Sequence, residues 1–238
     1  MARVTCLRGG CLSFQWLLLA LLAQHIIPGL AAVPACTNPP TPYTVTDATG
    51  LEQVLASWSG TACEGTIEFS QSSVTYFLTA EIKWPDKGVL TLDASSASDV
   101  IIQAAPGNRI ISTGMKSKLL VVGLEMRGGV TVLSESGGAV AMGESSSFNA
   151  IGTRFKNNHA GAAGAVFVRP GCTFKASQCE FFSNTAYVGG AIHASKNAVI
   201  KVFDSIFKNN TVGGTEVTIA LGGAINLGYA SGKSTRHI

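Results

Sequence analysis

Charged side chains are scarce in this sequence, and the clusters that usually hold metals or nucleic acids are missing. Asp, Glu, Lys and Arg make up 13% of the 238 residues, about half of the share that is usual in globular proteins. The net charge of +3 is spread along the chain, so nothing points to binding of nucleic acid or of an acidic membrane surface. No C-x-x-C pair or cluster of histidines is present, and we therefore expect neither a metal nor another cofactor.

Long apolar runs are also absent after the first part of the chain. Arg3 and Arg8 precede an apolar segment at residues 12–23, and small residues suited to cleavage follow. This pattern predicts a secretory signal peptide over residues 1–32. The alternative is a membrane anchor, but the uninterrupted apolar run is shorter than the about 20 residues that span a bilayer. We expect the mature chain to be secreted or displayed at a cell surface without spanning the membrane.

Few cysteines are present, and two of the six fall within the predicted signal peptide. The four that remain are Cys36, Cys63, Cys172 and Cys179. An even number of cysteines in an exported chain favours disulfide bonds, with three possible connectivities. Proximity in the sequence favours the pairs Cys36–Cys63 and Cys172–Cys179. Free buried thiols are the alternative.

One helix is predicted near the start of the mature chain. Residues 33–44 form a Pro- and Thr-rich lead-in, and residues 45–62 contain the helix. Thr49 and Glu52 have the spacing of a capping box, which predicts Thr49 as the N-cap. Apolar residues then follow at the spacing of one helix face: Leu51, Val54, Leu55 and Trp58. We expect this helix to cover the open end of the structure formed by the rest of the chain.

The segment 137–225 repeats at intervals of 26 residues. An F-x-x-N motif recurs with this period, with its Phe at positions Phe155, Phe181 and Phe207 and its Asn at positions Asn158, Asn184 and Asn210. A Gly-Gly-Ala-[Ile/Val] motif lies between these copies and is centred on Gly138, Gly164, Gly190 and Gly223. Ala163 replaces the first glycine of one copy, and an insertion at residues 212–221 delays the last copy by seven residues. A fixed period of this length indicates a stack of structural repeats.

This period predicts that residues 63–238 form a parallel β-helix with about 26 residues per coil. Short segments rich in β-branched and aromatic residues alternate with turn signals over this region, which predicts three strands in each coil. Equivalent residues then stack about 4.8 Å apart. We expect Phe155, Phe181 and Phe207 to form an internal aromatic ladder. The three repeated asparagines should form an amide ladder at a turn, and the repeated glycines should lie where coils approach closely.

The combination of Gly-Gly-Ala-[Ile/Val] with F-x-x-N resembles the repeat family of chlamydial polymorphic outer membrane proteins. More broadly, it is similar to the right-handed parallel β-helix, pectin-lyase-like superfamily. The motifs cover residues 137–225. The resemblance implies an all-β right-handed β-helix, extracellular or surface placement, and adhesion or interaction as the role. Because the last repeat stops at Ile238 without a capping element, we expect the natural β-helix to continue beyond it.

The pectin-lyase-like superfamily also contains enzymes, and a carbohydrate-active enzyme whose site lies beyond Ile238 is the alternative function. Polysaccharide hydrolysis or elimination requires converging carboxylates, but the aspartates after residue 32 are scattered and no two are adjacent. His159 and His193 occupy no common repeat position, and we expect both to be surface or turn residues. No catalytic residue is therefore predicted.

The remaining candidates concern the surface. Lys156 and Lys208 are equivalent in the repeat, as are Lys175 and Lys201, which indicates solvated strand residues or a thinly basic stripe. Asn209 begins a glycosylation sequon, Asn-Asn-Thr, and should point outward. We expect a non-catalytic structural or adhesive protein whose partner is an extracellular glycan or a surface protein.

Overall fold

The computed structural model of the chain describes residues 33–213 and 222–228. The predicted signal peptide, most of the predicted insertion and the last residues of the chain lie outside the described part. The described residues form parallel sheets stacked as a β-solenoid, with α1 (Ala48–Trp58) as the one helix among them. This confirms the predicted all-β, parallel β-helical fold class with a repeat of about 26 residues per coil.

Four parallel sheets run along the solenoid and are named here in the order in which each coil visits them. Sheet A contains β1 (Tyr43–Val45), β2 (Glu64–Phe69), β5 (Val89–Asp93), β8 (Lys118–Val122), β11 (Ser147–Ile151), β15 (Thr173–Ser177) and β19 (Val199–Phe203). Sheet B contains β3 (Thr75–Phe77), β6 (Val100–Gln103), β9 (Leu124–Arg127), β12 (Arg154–Lys156), β16 (Glu180–Phe182) and β20 (Ile206–Lys208). Sheet C contains β13 (His159–Ala162), β17 (Thr185–Val188) and β21 (Thr211–Val212). Sheet D contains β4 (Ile82–Trp84), β7 (Ile111–Thr113), β10 (Val140–Ala141), β14 (Val166–Val168), β18 (Ile192–Ala194) and β22 (Ile225–Leu227).

The core forms because every second residue of a strand points inward and meets its equivalent in the next coil. In sheet D the register aligns an unbroken inward column of β-branched residues: Ile82, Ile111, Val140, Val166, Ile192 and Ile225. Their branched side chains fit the pleated surface of a strand, and stacking them removes apolar area from water at each step along the solenoid. The same register also places the intervening residues in outward columns.

The helix α1 begins two residues earlier than the capping box predicted. Asp47 is the N-cap, and its carboxylate accepts a hydrogen bond from the backbone N–H of Gly50 at 2.8 Å. Thr49 instead lies inside the helix. Glu52 accepts hydrogen bonds from the backbone and the hydroxyl of Thr79, so it ties the helix to the solenoid rather than to its own N-cap. The prediction was wrong because Asp is a stronger N-cap than Thr.

The apolar face of α1 packs as its spacing predicted. Leu51, Val54, Leu55 and Trp58 are all buried in the core. The indole N–H of Trp58 donates a hydrogen bond to the backbone oxygen of Pro39 at 2.9 Å. This contact allows a large amphipathic side chain to be buried without leaving its polar atom unpaired.

The cysteine prediction is confirmed for one pair and wrong for the other. Cys36 and Cys63 form a disulfide, with Cα atoms 5.1 Å apart, because the backbone N–H of Cys36 pairs with Glu64 of the next coil. Cys172 and Cys179 are free and buried. They lie on either side of the extended strand β15, and five residues at about 3.3 Å each span about 16 Å. A disulfide requires Cα atoms within about 7 Å.

Candidate functional site

The repeated phenylalanines stack along the inside of sheet B. The rings of Phe155 and Phe181 have centroids 4.8 Å apart and planes inclined by 9°. The rings of Phe181 and Phe207 are 4.6 Å apart and inclined by 2°. Phe155 and Phe181 are fully buried, and Phe207 is half-buried. These residues belong to the core and offer no surface to a ligand.

The repeated asparagines form an amide ladder at the turn between sheets B and C. The side-chain oxygen of Asn184 accepts bonds from the backbone N–H of Asn158 at 3.1 Å and from its amide at 3.0 Å. The Asn184 amide in turn donates to the oxygen of Asn210 and to the backbone oxygen of Phe155, both at 2.9 Å. Each of these side-chain bonds joins an asparagine to a polar group of an adjacent coil. The ladder fixes the spacing between coils.

The repeated glycines lie where neighbouring coils are in backbone contact. A Cβ atom on Gly138 would lie 2.3 Å from the backbone oxygen of Gly164, and one on Gly164 would lie 2.2 Å from that of Gly190. Gly190 has the same relation to Gly223. No side chain fits between the coils at Gly138, Gly164 and Gly190, so glycine is required there, whereas a Cβ on Gly223 would meet nothing within 4 Å among the described residues. Like the two ladders, these glycines have a structural role.

The outward face of sheet D carries a column of side chains that do not repeat their chemistry. The residue that follows each Gly-Gly-Ala-[Ile/Val] motif points outward, and the register aligns these residues with their counterparts in the earlier coils. Along the sheet the outward column is Lys83, Ser112, Ala141, Phe167, His193 and Asn226. The sequence analysis did not identify this column, although the positions follow directly from the motif.

Three side chains in this column are in contact, two by ring stacking and the third by a hydrogen bond. The rings of Phe167 and His193 are parallel within 11°, with centroids 5.5 Å apart. Nδ1 of His193 hydrogen-bonds Oδ1 of Asn226 at 2.8 Å. Burial lowers the pKa of His193, and the bond to Asn226 opposes that effect. His193 was predicted to be a surface or turn residue, but it lies in a strand and is half-buried because Phe167 covers one face of its ring.

The guanidinium of Arg169 packs on the ring of Phe167, with a distance of 5.8 Å to the ring centroid. Arg169 is exposed, and its guanidinium has no hydrogen-bonding or ion-pair partner among the described residues. Stacking on an aromatic ring holds a guanidinium while leaving its five N–H donors available. The arrangement therefore presents an oriented donor group at the surface.

Arg169 lies on the wall of a cavity of about 410 Å³ in front of sheet D. Ser112 and Ala141, the small residues of the outward column, lie in its lining, whereas Phe167 of the next coil does not. Its lining consists of Glu81, Asp86, Arg109, Ser112, Thr113, Gly114, Met115, Ala141, Met142, Gly143, Glu144 and Arg169. The volume lies within the range of about 300–1,000 Å³ that is typical of ligand pockets.

Two of the three carboxylates in this cavity are already engaged. Glu81 forms an ion pair with Arg109 at 2.8 Å, and Arg109 also pairs with Glu135. Asp86 accepts a hydrogen bond from the backbone N–H of Met115 at 2.7 Å. Glu144 alone has no side-chain partner in the described part of the chain.

The other predicted surface residues are distributed over sheets A, B and C. Lys175 and Lys201 are direct neighbours on sheet A, whereas Lys156 and Lys208 are separated by Phe182 on sheet B. Two of these lysines lie on aromatic rings, with Nζ of Lys156 5.9 Å from the Phe182 centroid and Nζ of Lys175 in a similar contact with Phe203. No continuous basic stripe results along one sheet.

Asn209 and His159 lie near the turn between sheets B and C. Asn209 is exposed and has a left-handed backbone with φ of 56°, so its side chain is available while Asn210 points into the ladder. His159 is half-buried in β13 rather than in a turn, and it aligns with Thr185. The two histidines of the repeats thus lie on different sheets and do not form a common site.

The chain matches no protein-family model, no curated protein and no solved structure. In the described residues, no set of three or more His, Cys, Asp or Glu side chains is arranged to hold a metal ion. None of the helices described is both long and apolar enough to cross a membrane. The surface chemistry of the solenoid is therefore the basis of its proposed function.

Proposed function

We propose that the chain is a secreted or surface-displayed, non-catalytic β-solenoid that binds a partner, either an extracellular glycan or a surface protein, in an adhesive role. The observation that carries this proposal is the contrast between two neighbouring columns of sheet D. The inward column that begins at Ile82 contains only Ile and Val, whereas the outward column changes its chemistry along the sheet. Repeat proteins use rigid stacked cores to display extended binding surfaces in this way.

The disulfide between Cys36 and Cys63 supports the export part of the proposal, because disulfides persist mainly in oxidising compartments. The apolar segment at residues 12–23 supports it as well. Expression of the chain with its own N-terminus in a eukaryotic secretory host tests export. We expect the protein in the medium or at the cell surface, and a glycosidase-sensitive mass on Asn209 that Asn209→Gln removes. Retention of the full-length chain in the cytosol would contradict export.

The engaged carboxylates of the sheet D cavity support a non-catalytic role. We expect the purified exported chain to bind glycan-coated or cell-derived surfaces while releasing no reducing ends or unsaturated products from pectin, alginate or neutral polysaccharides, with or without calcium. A glycan and protein array identifies the class of partner. The appearance of products that depend on Glu144 would move the assignment to a carbohydrate-active enzyme.

The resemblance to the polymorphic outer membrane protein repeats remains part of this proposal. It is supported by the two recurring motifs and by their structural roles, since the motif residues build the aromatic ladder, the amide ladder and the glycine contacts. Binding distributed over several coils is expected to be weak for each coil and stronger for the whole face, because linked weak contacts act together.

A further inference from the structure

The outward face of sheet D has a step in side-chain size at one place. Ser112 and Ala141 occupy the outward column in two successive coils, and Phe167 follows in the third. The step leaves the cavity of about 410 Å³. Phe167 does not line the cavity itself, but its ring packs against His193 on one side and against the guanidinium of Arg169, which does line it.

The groups that line the cavity match the hydroxyl groups of a sugar ring. Arg169 presents guanidinium N–H donors, and Glu144 presents carboxylate oxygens that accept. Neither has a side-chain hydrogen-bond or ion-pair partner among the residues described. Of two adjacent hydroxyl groups on a pyranose, one can donate a hydrogen bond to a carboxylate while the other accepts a hydrogen bond from a guanidinium. Met115, which is 51% exposed, and the methyl group of Ala141 supply apolar surface for the C–H face of the ring.

The charge of the lining discriminates between classes of glycan. Three carboxylates, on Glu81, Asp86 and Glu144, face two guanidinium groups, on Arg109 and Arg169, so the net charge of the lining is −1. Arg109 is also paired with Glu81 and Glu135, which leaves Arg169 as the cation that a ligand would meet. An acidic sugar would bring its charge close to carboxylates at short range. The lining therefore favours a neutral sugar.

We propose that this cavity binds one pyranose unit of a neutral glycan, with Arg169 and Glu144 contacting its hydroxyl groups. The inference rests on the proposed function of the chain as a partner-binding solenoid and specifies where and what it binds. The unit lies against Ala141 in line with the stack of Phe167 and His193. Longer glycans extend along sheet D beyond the cavity.

Four variants of the exported chain test the site. Arg169→Ala removes the donor, Glu144→Gln removes the carboxylate charge, and Ala141→Phe fills the cavity with a ring that extends the stack. Phe182→Ala is the control. Like Phe167, Phe182 is half-buried, points outward and has a cation on its ring, in this case Lys156, but it lies on sheet B. Thermal unfolding of each variant establishes that the solenoid is folded.

Binding is measured by calorimetry with neutral gluco-, manno- and galacto-oligosaccharides and with oligogalacturonate as the acidic probe. We expect a neutral oligosaccharide to bind the unaltered chain and to lose about tenfold or more in affinity in each of the three cavity variants, as expected for loss of one charged hydrogen bond or of shape fit. Phe182→Ala should bind like the unaltered chain.

The outcomes separate this inference from the proposed function. Equal binding of neutral glycans by all four variants would overturn the cavity site but leave a glycan-binding solenoid. Stronger binding of oligogalacturonate, or binding of aromatic peptides in place of sugars at the same residues, would also overturn it. If the unaltered chain bound no glycan and no protein on the arrays, the proposed function itself would be contradicted.

Discussion

Replacing Phe181 by alanine tests the internal ladder most directly. Phe181 is fully buried and lies between two stacked rings, at 4.8 Å from Phe155 and 4.6 Å from Phe207. It also meets Phe174 edge to face at 6.5 Å. Truncation of a buried phenylalanine costs about 3–5 kcal/mol of unfolding free energy, because apolar area is lost and a cavity remains. We expect the upper part of this range, since rings on both sides prevent collapse of the cavity.

The measurement is equilibrium unfolding in urea, followed by far-ultraviolet circular dichroism and by tryptophan fluorescence. Two probes are needed because a solenoid is stabilised mainly by neighbouring coils and can lose cooperativity. Phe182→Ala is the matched control, since Phe182 is the next residue but points outward, and we expect it to cost less than about 1 kcal/mol. A cost below about 1 kcal/mol for Phe181→Ala would refute the ladder.

Three further predictions follow from the described contacts. Gly164→Ala should destabilise the solenoid by about 2 kcal/mol or more in urea unfolding, because the new Cβ would lie 2.2 Å from a backbone oxygen, whereas Gly60→Ala meets nothing within 4 Å. Burial covers the thiols of Cys172 and Cys179 and raises the pKa of both, so mass spectrometry should show alkylation by iodoacetamide only after denaturation; labelling of the native protein would contradict this. Burial lowers the pKa of His193 in the folded chain. As the pH falls, the unfolded chain is therefore protonated at a higher pH than the folded chain, and stability should fall as the pH drops through about 6.5. Urea unfolding of His193→Gln should show a smaller decrease, and an equal decrease would assign the effect to other groups.

The ladder residues could be predicted from the sequence because they repeat. In a stacked solenoid, equal spacing along the chain becomes direct contact in space, so a period of 26 residues identified the Phe, Asn and Gly columns without other information. The strand β4 was missed because it has only three residues, of which Lys83 is charged. The strands of sheet C were missed as a fourth element because segments such as residues 159–162 lack β-branched residues.

The cavity and the stack on sheet D could not be predicted in the same way. Four equivalent positions of the outward column share no chemistry: they hold Ser112, Ala141, Phe167 and His193. A repeated sequence motif therefore cannot identify them. The cysteine pairing failed for a related reason. Closeness in sequence means closeness in space only where the chain turns, and an extended strand separates Cys172 from Cys179.

The repeated and the unrepeated residues have complementary roles. Each rung of the amide ladder joins two coils by hydrogen bonds to side chain and backbone, and the glycine column admits no side chain between coils. The coils are therefore held at one spacing, and the outward side chains of sheet D keep their positions without a ligand. A preorganised face loses little conformational freedom on binding, which is consistent with the recognition proposed for Arg169 and Glu144. The absence of repetition on that face is what gives each coil its own chemistry to present to a partner.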